Sequence, residues 1–244
     1  MINLFSDFGA SDLYPGQVKA AIRRIDPQVT IIDLLHDAPA LDVEAASHLL
    51  AALLLYHPAA VTLAVVDPGV GGTRRPLAIE TASGWLVGPD NGLLSVVAAR
   101  ASGSRIHEII WRPAHLSATF HGRDLFAPVA AMLANQTLPK NALREIGLLE
   151  VNFGAADLAQ VIYIDHYGNA LTGLRAGNVR QISKVVCEAT PLDSARSFSD
   201  VPAGQAFWYE NSLGLVEIAV NRGNAARALD LEIGTAVTLL PEMR

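Results

Sequence analysis

The sequence predicts an α/β N-terminal domain with a largely parallel sheet, followed by a small C-terminal antiparallel sheet or barrel. Up to about Asn152, short β-branched runs alternate with stretches of helical periodicity. Strands separated by helices imply crossover connections, which favour parallel pairing. Beyond Asn152 the apolar runs are short and are separated by Gly, Asn, Asp and Pro turns, which is typical of antiparallel β-structure.

The predicted elements follow from the hydrophobic pattern along the chain. The helical pattern is clearest where Val18, Ile22 and Ile25 fall at positions i, i+4 and i+7. Predicted N-terminal strands cover residues 2–5, 29–35, 61–66, 77–80, 85–87 and 106–111, and predicted helices cover residues 13–25, 42–56, 92–101 and 122–133. Predicted C-terminal strands cover residues 161–164, 184–187, 206–209, 215–220 and 236–240. The boundary falls near residues 152–155, so the predicted domains are residues 1–152 and 156–244.

One segment is apolar enough to be compared with a membrane span. Between Glu44 and Asp67 there is no Asp, Glu, Lys or Arg, and the segment is long enough to cross a bilayer. Pro58 would break a helix near its middle. We therefore expect a buried helix followed by a buried strand, and no membrane partner.

The composition excludes several classes of protein. The chain has 18 Lys and Arg against 24 Asp and Glu, a net charge of −6, which argues against nonspecific nucleic-acid binding. Its single cysteine, Cys187, excludes an intramolecular disulfide framework. Asp7 interrupts any apolar leader segment. These features predict a soluble cytoplasmic protein.

Polar residues collect at the ends of the predicted elements. They occupy residues 6–9, 67–75, 89–92 and 119–124 in the N-terminal domain, and residues 165–169 and 211–214 in the C-terminal domain. Ligands of parallel α/β domains bind beyond the carboxyl ends of the strands. These clusters are therefore the candidate functional residues.

The glycine-rich stretch after the third predicted strand does not fit a phosphate-binding loop. A Walker loop needs Lys-Ser or Lys-Thr after its last glycine, and the dinucleotide fingerprint needs glycine where Arg74 stands. Pro76 indicates that the loop leads into a strand, so no helix N-terminus is available for a pyrophosphate. Covalent catalysis is also unsupported, because Ser6, Ser117 and Ser212 lack a Gly-x-Ser-x-Gly elbow.

Two other interpretations of the polar residues stay open at this stage. One is a hard-ligand metal site of a phosphatase or nuclease, although no close pair of ligands has diagnostic spacing. The other is structural, with His121 as a core histidine, Arg74 and Arg75 as a solvated pair and Asp165 in a hairpin turn. The residues available to a metal are Asp7, Asp12, Asp67, His121, Asp124, Asp165 and His166.

Six motifs taken in order resemble those of one known family. They are Ser6-Asp7-Phe8-Gly9, Val66-Asp67-Pro68-Gly69-Val70-Gly71, Pro89-Asp90-Asn91-Gly92-Leu93, Thr119-Phe120-His121-Gly122-Arg123-Asp124, Asp165-His166-Tyr167-Gly168-Asn169 and Asn211-Ser212-Leu213-Gly214. Their order and spacing are similar to those of the S-adenosyl-L-methionine (SAM) hydroxide adenosyltransferases, also called adenosine-forming SAM hydrolases. Relatives of that family include the adenosyl-fluoride and adenosyl-chloride synthases. The resemblance runs from Ile2 to about Leu240.

The resemblance implies a fold, an assembly and a reaction. The fold is an α/β N-terminal domain with a C-terminal β-barrel domain, and the assembly is a homotrimer that holds SAM between neighbouring subunits. In the reaction, water or hydroxide attacks C5′ of the SAM ribose and releases adenosine and L-methionine. SAM is the substrate, so no metal or other cofactor is expected. The sequence leaves open whether the (S)- or the (R)-sulfonium form is used.

The resemblance also assigns catalytic residues. The family's water-positioning Asp-Arg-His set matches Asp67, Arg74 and His121, with Arg75 as an alternative to Arg74. Halogenating relatives carry tyrosines at the positions of Asp67 and His121, and a serine at that of Gly122. We expect Asp67 to accept a hydrogen bond from the attacking water. We expect His121, with an ordinary pKa of about 6.5, to take the proton of that water. Arg74 would hold Asp67 ionised or stabilise hydroxide.

Substrate contacts carry over position by position. By the resemblance, Asp7 accepts hydrogen bonds from both ribose hydroxyls, Asp165 pairs with the methionine ammonium and Ser212 contacts the methionine carboxylate. Asn169 contacts the adenine edge, and Phe198 stacks on adenine.

Two leucines depart from the halogenating relatives. Leu41 and Leu171 stand where those relatives carry tryptophans, so ribose packing is expected to be slacker.

Two alternative functions remain beside SAM hydrolysis. A non-enzymatic SAM- or adenosine-binding protein would use Asp7 and Asp165 but has no need of the Asp-Arg-His set. A halide-using adenosyltransferase is disfavoured, because the carboxylate of Asp67 would repel a halide ion.

Overall fold

The computed structural model describes residues 1–179, 184–187 and 190–240. The chain divides into two compact units, Met1–Ala155 and Ala156–Arg244. The first unit contains β1 (Ile2–Ser6), α1 (Leu13–Ile25), β2 (Ile31–Leu35), α2 (Val43–Tyr56), β3 (Val61–Val65), β4 (Pro76–Thr81), β5 (Gly84–Pro89), α3 (Ser95–Arg100), β6 (Arg105–Ile109), α4 (Ala127–Ala134) and β7 (Leu143–Ile146). The second unit contains β8 (Leu158–Ile164), β9 (Ala170–Arg175), β10 (Lys184–Cys187), β11 (Thr190–Leu192), β12 (Ala206–Glu210), β13 (Leu215–Val220), α5 (Ala225–Ala228) and β14 (Val237–Leu240).

The strands of the first unit form one seven-stranded sheet in the order β2-β1-β3-β5-β4-β6-β7. The pairs β1–β2, β1–β3 and β3–β5 are parallel, whereas β4–β5, β4–β6 and β6–β7 are antiparallel. Only β4 and β7 therefore run against the other strands, and the prediction of a mostly parallel sheet is confirmed. The exceptions have a local cause, because the two-residue connection between β4 and β5 permits only a hairpin.

The core of the first unit forms where the apolar faces of strands and helices meet. Alternate residues of β1 and β3, including Leu4 and Leu63, pack with Ile22 of α1 and with most of α4. Helices α1 and α4 contact each other, and α2 contacts α3. The charge-free segment that begins in α2 continues into β3, as its hydrophobic pattern predicts. Among the described residues, no helix combines the length and apolar character needed to cross a bilayer.

Local details of the first unit differ from the sequence-based expectations. Strand β7 was not predicted, since its exposed residues carry little apolar pattern. Helix α3 begins at Ser95 rather than at residue 92, and Asn91 caps a preceding turn by accepting a hydrogen bond from Leu93 N at 3.2 Å. The helix predicted over 122–133 begins as a π-helical turn, Gly122–Phe126, and continues as α4.

The second unit is built from two antiparallel sheets. One has the strand order β12-β13-β9-β8 and the other β11-β10-β14. Antiparallel structure is confirmed, but neither sheet closes on itself among the described residues, so the barrel is not confirmed. Strand β9 was not predicted from the sequence, because its run of small and apolar residues follows directly on a polar loop. That strand lies between β8 and β13 and is buried along most of its length.

We expect Ile22→Ala to lower the free energy of unfolding by about 2–5 kcal/mol, because the fully buried side chain leaves a cavity in the core. Ile25, in the same helix but 40% exposed, provides the matched control. Ile25→Ala should cost less than about 1 kcal/mol. Urea unfolding followed by circular dichroism measures both values, and equal losses would contradict this description of the core.

Candidate active site

A small cavity lies at the carboxyl ends of β1 and β3 in the first unit. It has a volume of about 100 Å³ and is lined by residues from three of the predicted polar clusters, among them Asp7, Asp67, Thr119 and His121. Parallel strands end at the same edge of the sheet, which brings together side chains that are far apart in the sequence. The apolar part of the lining includes Phe8, Val65, Val70 and Phe120.

Asp67, Arg74 and His121 form one hydrogen-bonded group beside this cavity. Nε of Arg74 donates to both carboxylate oxygens of Asp67 at 3.0 Å, and Nη2 of Arg74 donates to Oδ2 of the same carboxylate. Nη2 also lies 2.9 Å from Nδ1 of His121. The side chains of the ion pair are 10% and 5% exposed for arginine and aspartate, respectively. The ring of Phe126 covers the guanidinium, with 5.3 Å from Cζ to the ring centre.

The contact with Arg74 fixes the tautomer of His121. An arginine has only donors, so Nδ1 of His121 must be the acceptor and cannot carry a proton. In the neutral ring the proton is then on Nε2. Burial, followed by the positive charge of Arg74, lowers the pKa of His121 below its ordinary value. The ring is therefore neutral near neutral pH and presents a hydrogen-bond donor.

Asp7 supplies a second carboxylate to the same cavity. Burial raises the pKa of Asp7, and the nearby negative charge of Asp67 raises it further. Unlike Asp67, which is neutralised by Arg74, Asp7 has no salt bridge among the residues that the structure describes. Its oxygens are consequently available to hydroxyl or other donors of a ligand.

The neighbouring arginine, Arg75, has a different partner. Its side chain donates from Nε to the carboxylate of Asp90 at 2.8 Å and from Nη2 to the carbonyl oxygen of Leu148 at 3.1 Å. The carboxylate of Asp90 is fully buried and also accepts from Glu150 N at 3.1 Å. Arg75 therefore holds the end of the glycine-rich loop in place. Of the two adjacent arginines, Arg74 is the one that contacts Asp67 and His121.

The segment that carries His121 is held from both sides. Before it, Gly71 has a positive φ of 80°, and a Cβ there would lie 2.4 Å from the carbonyl oxygen of Ala118. After it, Asp124 accepts hydrogen bonds from Ser117 N at 2.9 Å and from Arg123 Nε at 2.6 Å. These contacts place the glycine-rich loop next to the segment that leads into the π-helical turn. Short π-helical turns are frequent at functional sites.

Gly122 allows two aromatic rings to approach the backbone next to His121. A Cβ at this position would lie 3.0 Å from Cζ of Phe8 and 3.4 Å from Cε2 of Phe120. The serine of the halogenating relatives would therefore require these rings to move.

Ser6, His36 and Asp33 form a hydrogen-bonded chain next to Asp7, in which Ser6 and His36 are buried and Asp33 is exposed. Oγ of Ser6 lies 2.7 Å from Nδ1 of His36, and Nε2 of His36 lies 3.1 Å from Oδ1 of Asp33. The arrangement has the residue types of a nucleophilic triad, but Ser6 is only 3% exposed. We assign it a structural role in holding the end of β1, from which Asp7 extends.

A larger cavity in the second unit collects the remaining predicted substrate residues. It has a volume of about 700 Å³ and is lined by Asp165, Asn169, Phe198 and Ser212. Oδ1 of Asp165 accepts hydrogen bonds from Tyr167 N at 2.9 Å and Asn169 N at 2.8 Å. Oδ2 accepts from Asn169 Nδ2 at 3.0 Å. Asp165 therefore holds the predicted turn together and is also the predicted ligand residue.

Further polar residues line this cavity, and of these Tyr209, Glu217 and Arg222 carry no prediction from the sequence. Tyr209, Asn211 and Glu217 are joined by hydrogen bonds, and Tyr209 packs against Phe198 with 5.3 Å between ring centres. One signal was present in the sequence, since Glu217 is the lone charge in the apolar run Leu215–Val220.

The other candidate residues have simpler surroundings. Asp12 caps α1 by accepting from Leu13 N at 2.5 Å, and His166 contacts the ring of Tyr167. Leu41 is 77% exposed, whereas Leu171 is buried in β9. Within the described parts of the chain, no three His, Cys, Asp or Glu side chains are placed to hold a metal ion.

Comparison with known proteins identifies relatives over the whole chain. An (R)-S-adenosyl-L-methionine hydrolase from Salinispora tropica is 36% identical over 96% of this chain and 95% of its own. One from Thermus thermophilus is 37% identical over 98% of this chain and 99% of its own. A fluorinase from Actinopolyspora mzabensis is more distant, at 25% identity over 97% and 96%.

Solved structures and family models also match most of the chain. An uncharacterized conserved protein from Thermotoga maritima superposes with a TM-score of 0.88 at 33% identity, over 99% of this chain and 100% of that one. A conserved hypothetical protein from Thermus thermophilus gives 0.79 at 35% identity, over 98% and 99%. Models of the SAM hydroxide adenosyltransferase N-terminal and C-terminal domains match residues 2–143 and 159–238. The chain therefore belongs to the SAM hydroxide adenosyltransferase family.

Proposed function

We propose that this protein hydrolyses S-adenosyl-L-methionine at C5′ of the ribose and releases adenosine and L-methionine. The observation that carries the proposal is the buried group of Asp67, Arg74 and His121 at one cavity with Asp7. The curated relatives at 36–37% identity are named as hydrolases of this compound. A non-catalytic binding protein has no use for an arginine buried between a carboxylate and an imidazole.

The chemistry requires a positioned water rather than a general acid. The sulfonium leaves as a neutral thioether, so the leaving group needs no proton. Water is a poor nucleophile because its pKa in bulk is about 15.7. Holding water in line with the breaking bond is the main task of the site, and good positioning can supply roughly 7–11 kcal/mol of the barrier reduction.

The observed hydrogen bonds refine the roles expected from the sequence. His121 was expected to take the proton of the water, but its Nδ1 lone pair already accepts from Arg74. We assign His121 the role of a donor through Nε2 to the water oxygen. Asp67 then accepts the water proton, because each of its oxygens can accept a further hydrogen bond. Arg74 keeps both groups in place, while Arg75 is occupied by Asp90.

The substrate contacts are proposed from the same positions. Asp7, which has no salt bridge among the described residues, accepts from the ribose hydroxyls. Asp165 pairs with the methionine ammonium, Ser212 binds the methionine carboxylate, Asn169 contacts the adenine edge and Phe198 stacks on adenine. Since the curated relatives are named for the (R)-sulfonium epimer, we propose that epimer as the substrate.

Several wider features are proposed with the function. The substrate residues are divided between the two units, and a homotrimer with SAM between neighbouring subunits would bring both sets to one ligand. We further propose that residues 1–152 and 156–244 fold as domains, and that the two sheets of the second are parts of a β-barrel. The reaction is proposed to need no cofactor and to take place in the cytoplasm.

Incubation of the purified protein with (R)-SAM should yield adenosine and methionine in equal amounts. In water enriched in ¹⁸O the label should appear in the 5′-hydroxyl of adenosine, because solvent oxygen attacks C5′. Chromatography with mass spectrometry measures both. Formation of 5′-chloro- or 5′-fluoroadenosine on adding the halide would instead support the halide-using alternative.

Asp67→Asn should lower the rate by roughly 10²- to 10⁴-fold, the usual contribution of a positioned proton acceptor. The matched control is Asp12→Asn, because Asn caps a helix about as well as Asp and Asp12 caps α1. The control should keep the wild-type rate. Steady-state assays measure both variants, and a fully active Asp67→Asn enzyme would remove Asp67 from the mechanism.

Nuclear magnetic resonance should find the ring of His121 protonated on Nε2, with a pKa below 6.5. A lowered pKa means that the neutral ring persists to more acidic pH than in a free histidine. Arg74→Gln should raise the pKa, because a positive charge next to Nδ1 is removed while Asp67 remains. Arg75→Gln, which alters the neighbouring pair, should leave it unchanged. A proton on Nδ1 in the wild-type protein would contradict the assignment.

A further inference from the structure

Glu217 is a charged residue in the middle of a fully buried strand. All six residues of β13 are buried, and Glu217 itself is 5% exposed. Burying a carboxylate is costly unless hydrogen bonds and opposite charge compensate it. The contacts of Glu217 therefore indicate what the strand gains from a charge at this position.

The hydrogen bonds around Glu217 can support an ionised carboxylate. The hydroxyl of Tyr209 donates to Oε1 at 2.5 Å, and Nδ2 of Asn211 donates to Oε2 at 2.8 Å. The amide of Asn211 cannot be reversed, since its Oδ1 accepts from Leu213 N at 2.9 Å and Leu215 N at 3.0 Å. Both oxygens of Glu217 thus face donors.

No cation among the described residues pairs directly with this charge, since no Lys, Arg or His nitrogen there lies within 4.0 Å of the Glu217 carboxylate. The neighbouring charge that acts on it is Asp165, which has the same sign and lines the same cavity. Burial and Asp165 both raise the pKa of Glu217. The cavity is lined by two carboxylates and by one arginine, Arg222. With both carboxylates ionised, its formal charge is negative, which favours a ligand with a net positive charge.

We propose that Glu217 is a specificity-determining residue that, together with Asp165, makes the cavity select a sulfonium ligand over the corresponding neutral thioether. The inference rests on the proposed function and goes beyond it. SAM carries an ammonium, a carboxylate and a sulfonium, so it has one net positive charge. S-adenosyl-L-homocysteine lacks the methyl group and the sulfonium charge but is otherwise the same. A site whose affinity depends on the net charge of the ligand binds these two compounds with different affinities.

The same selection would favour turnover. Loss of the sulfonium charge is the result of the reaction, since the sulfur leaves in a neutral thioether. A cavity with two carboxylates attracts the substrate more strongly than either product, because adenosine and zwitterionic methionine carry no net charge. Charge selection would therefore promote product release as well as substrate binding.

The expected size of the effect follows from Coulomb's law. At an effective dielectric constant of about 20 and a separation of about 8–15 Å, one carboxylate changes the affinity for a unit charge by roughly 5- to 30-fold. Glu217→Gln should lower the ratio of sulfonium to thioether affinity by this factor. Gln retains an acceptor for Tyr209 and nearly the same volume, so the variant tests charge more than shape.

The experiment measures dissociation constants of (R)-SAM and S-adenosyl-L-homocysteine by calorimetry, in a His121→Ala background that suppresses turnover. The control variant is Glu210→Gln, which removes an exposed carboxylate of the same sheet. It should keep the wild-type ratio, whereas Glu217→Gln should lower it.

The outcomes are distinct. Equal weakening of both ligands in Glu217→Gln would overturn the proposal, because the residue would then act through shape. If Glu217→Gln does not fold, the unsubstituted cavity carries the test, since equal affinities for the two ligands would overturn charge selection. A product assay on the wild-type protein separates the two ideas: absence of adenosine refutes the proposed hydrolysis, whereas an unchanged ratio refutes only the role of Glu217.

Discussion

The ion pair between Arg74 and Asp67 is the constraint on which the N-terminal site depends. Both side chains are withdrawn from water, and an ion pair so placed is stable only if its geometry and remaining hydrogen bonds are well satisfied. Phe126 covers one face of the guanidinium, and Nδ1 of His121 accepts a hydrogen bond from Nη2. The hydrogen bond from Arg74 thereby fixes the tautomer of His121. That tautomer decides which group of the site can donate to water and which can accept from it.

The surrounding structure fixes this group through contacts that are not part of the proposed chemistry. Arg75 is bound to a second buried carboxylate, Asp90, so it cannot turn to Asp67 without leaving that buried charge unpaired. Asp124 and the π-helical turn hold the segment of His121, and the chain of Ser6, His36 and Asp33 holds the end of β1. Each segment of the site is thus held by its own hydrogen bonds or ion pair.

The sequence predicted most elements and the residues of both cavities, but not every assignment within them. Apolar periodicity located most strands but not β7, β9 or β11. Strand β9 escaped because small residues after a polar loop give no pattern. The choice between Arg74 and Arg75 cannot be made from two identical neighbours; it depends on which carboxylate each one reaches in the fold. Glu217 was overlooked because one charge in an apolar run indicates an exception without indicating its partner.

A buried arginine with two partners has a consequence for how this fold diversifies. Replacing Asp67 or His121 alone leaves the guanidinium of Arg74 short of a partner, and the cost of such a half-change is not the sum of independent steps. By the resemblance, the halogenating relatives carry other residues at both positions. A change of nucleophile on this scaffold therefore crosses a stability barrier unless the two substitutions arrive together or follow a compensating third, so the order of mutations matters as much as their identity.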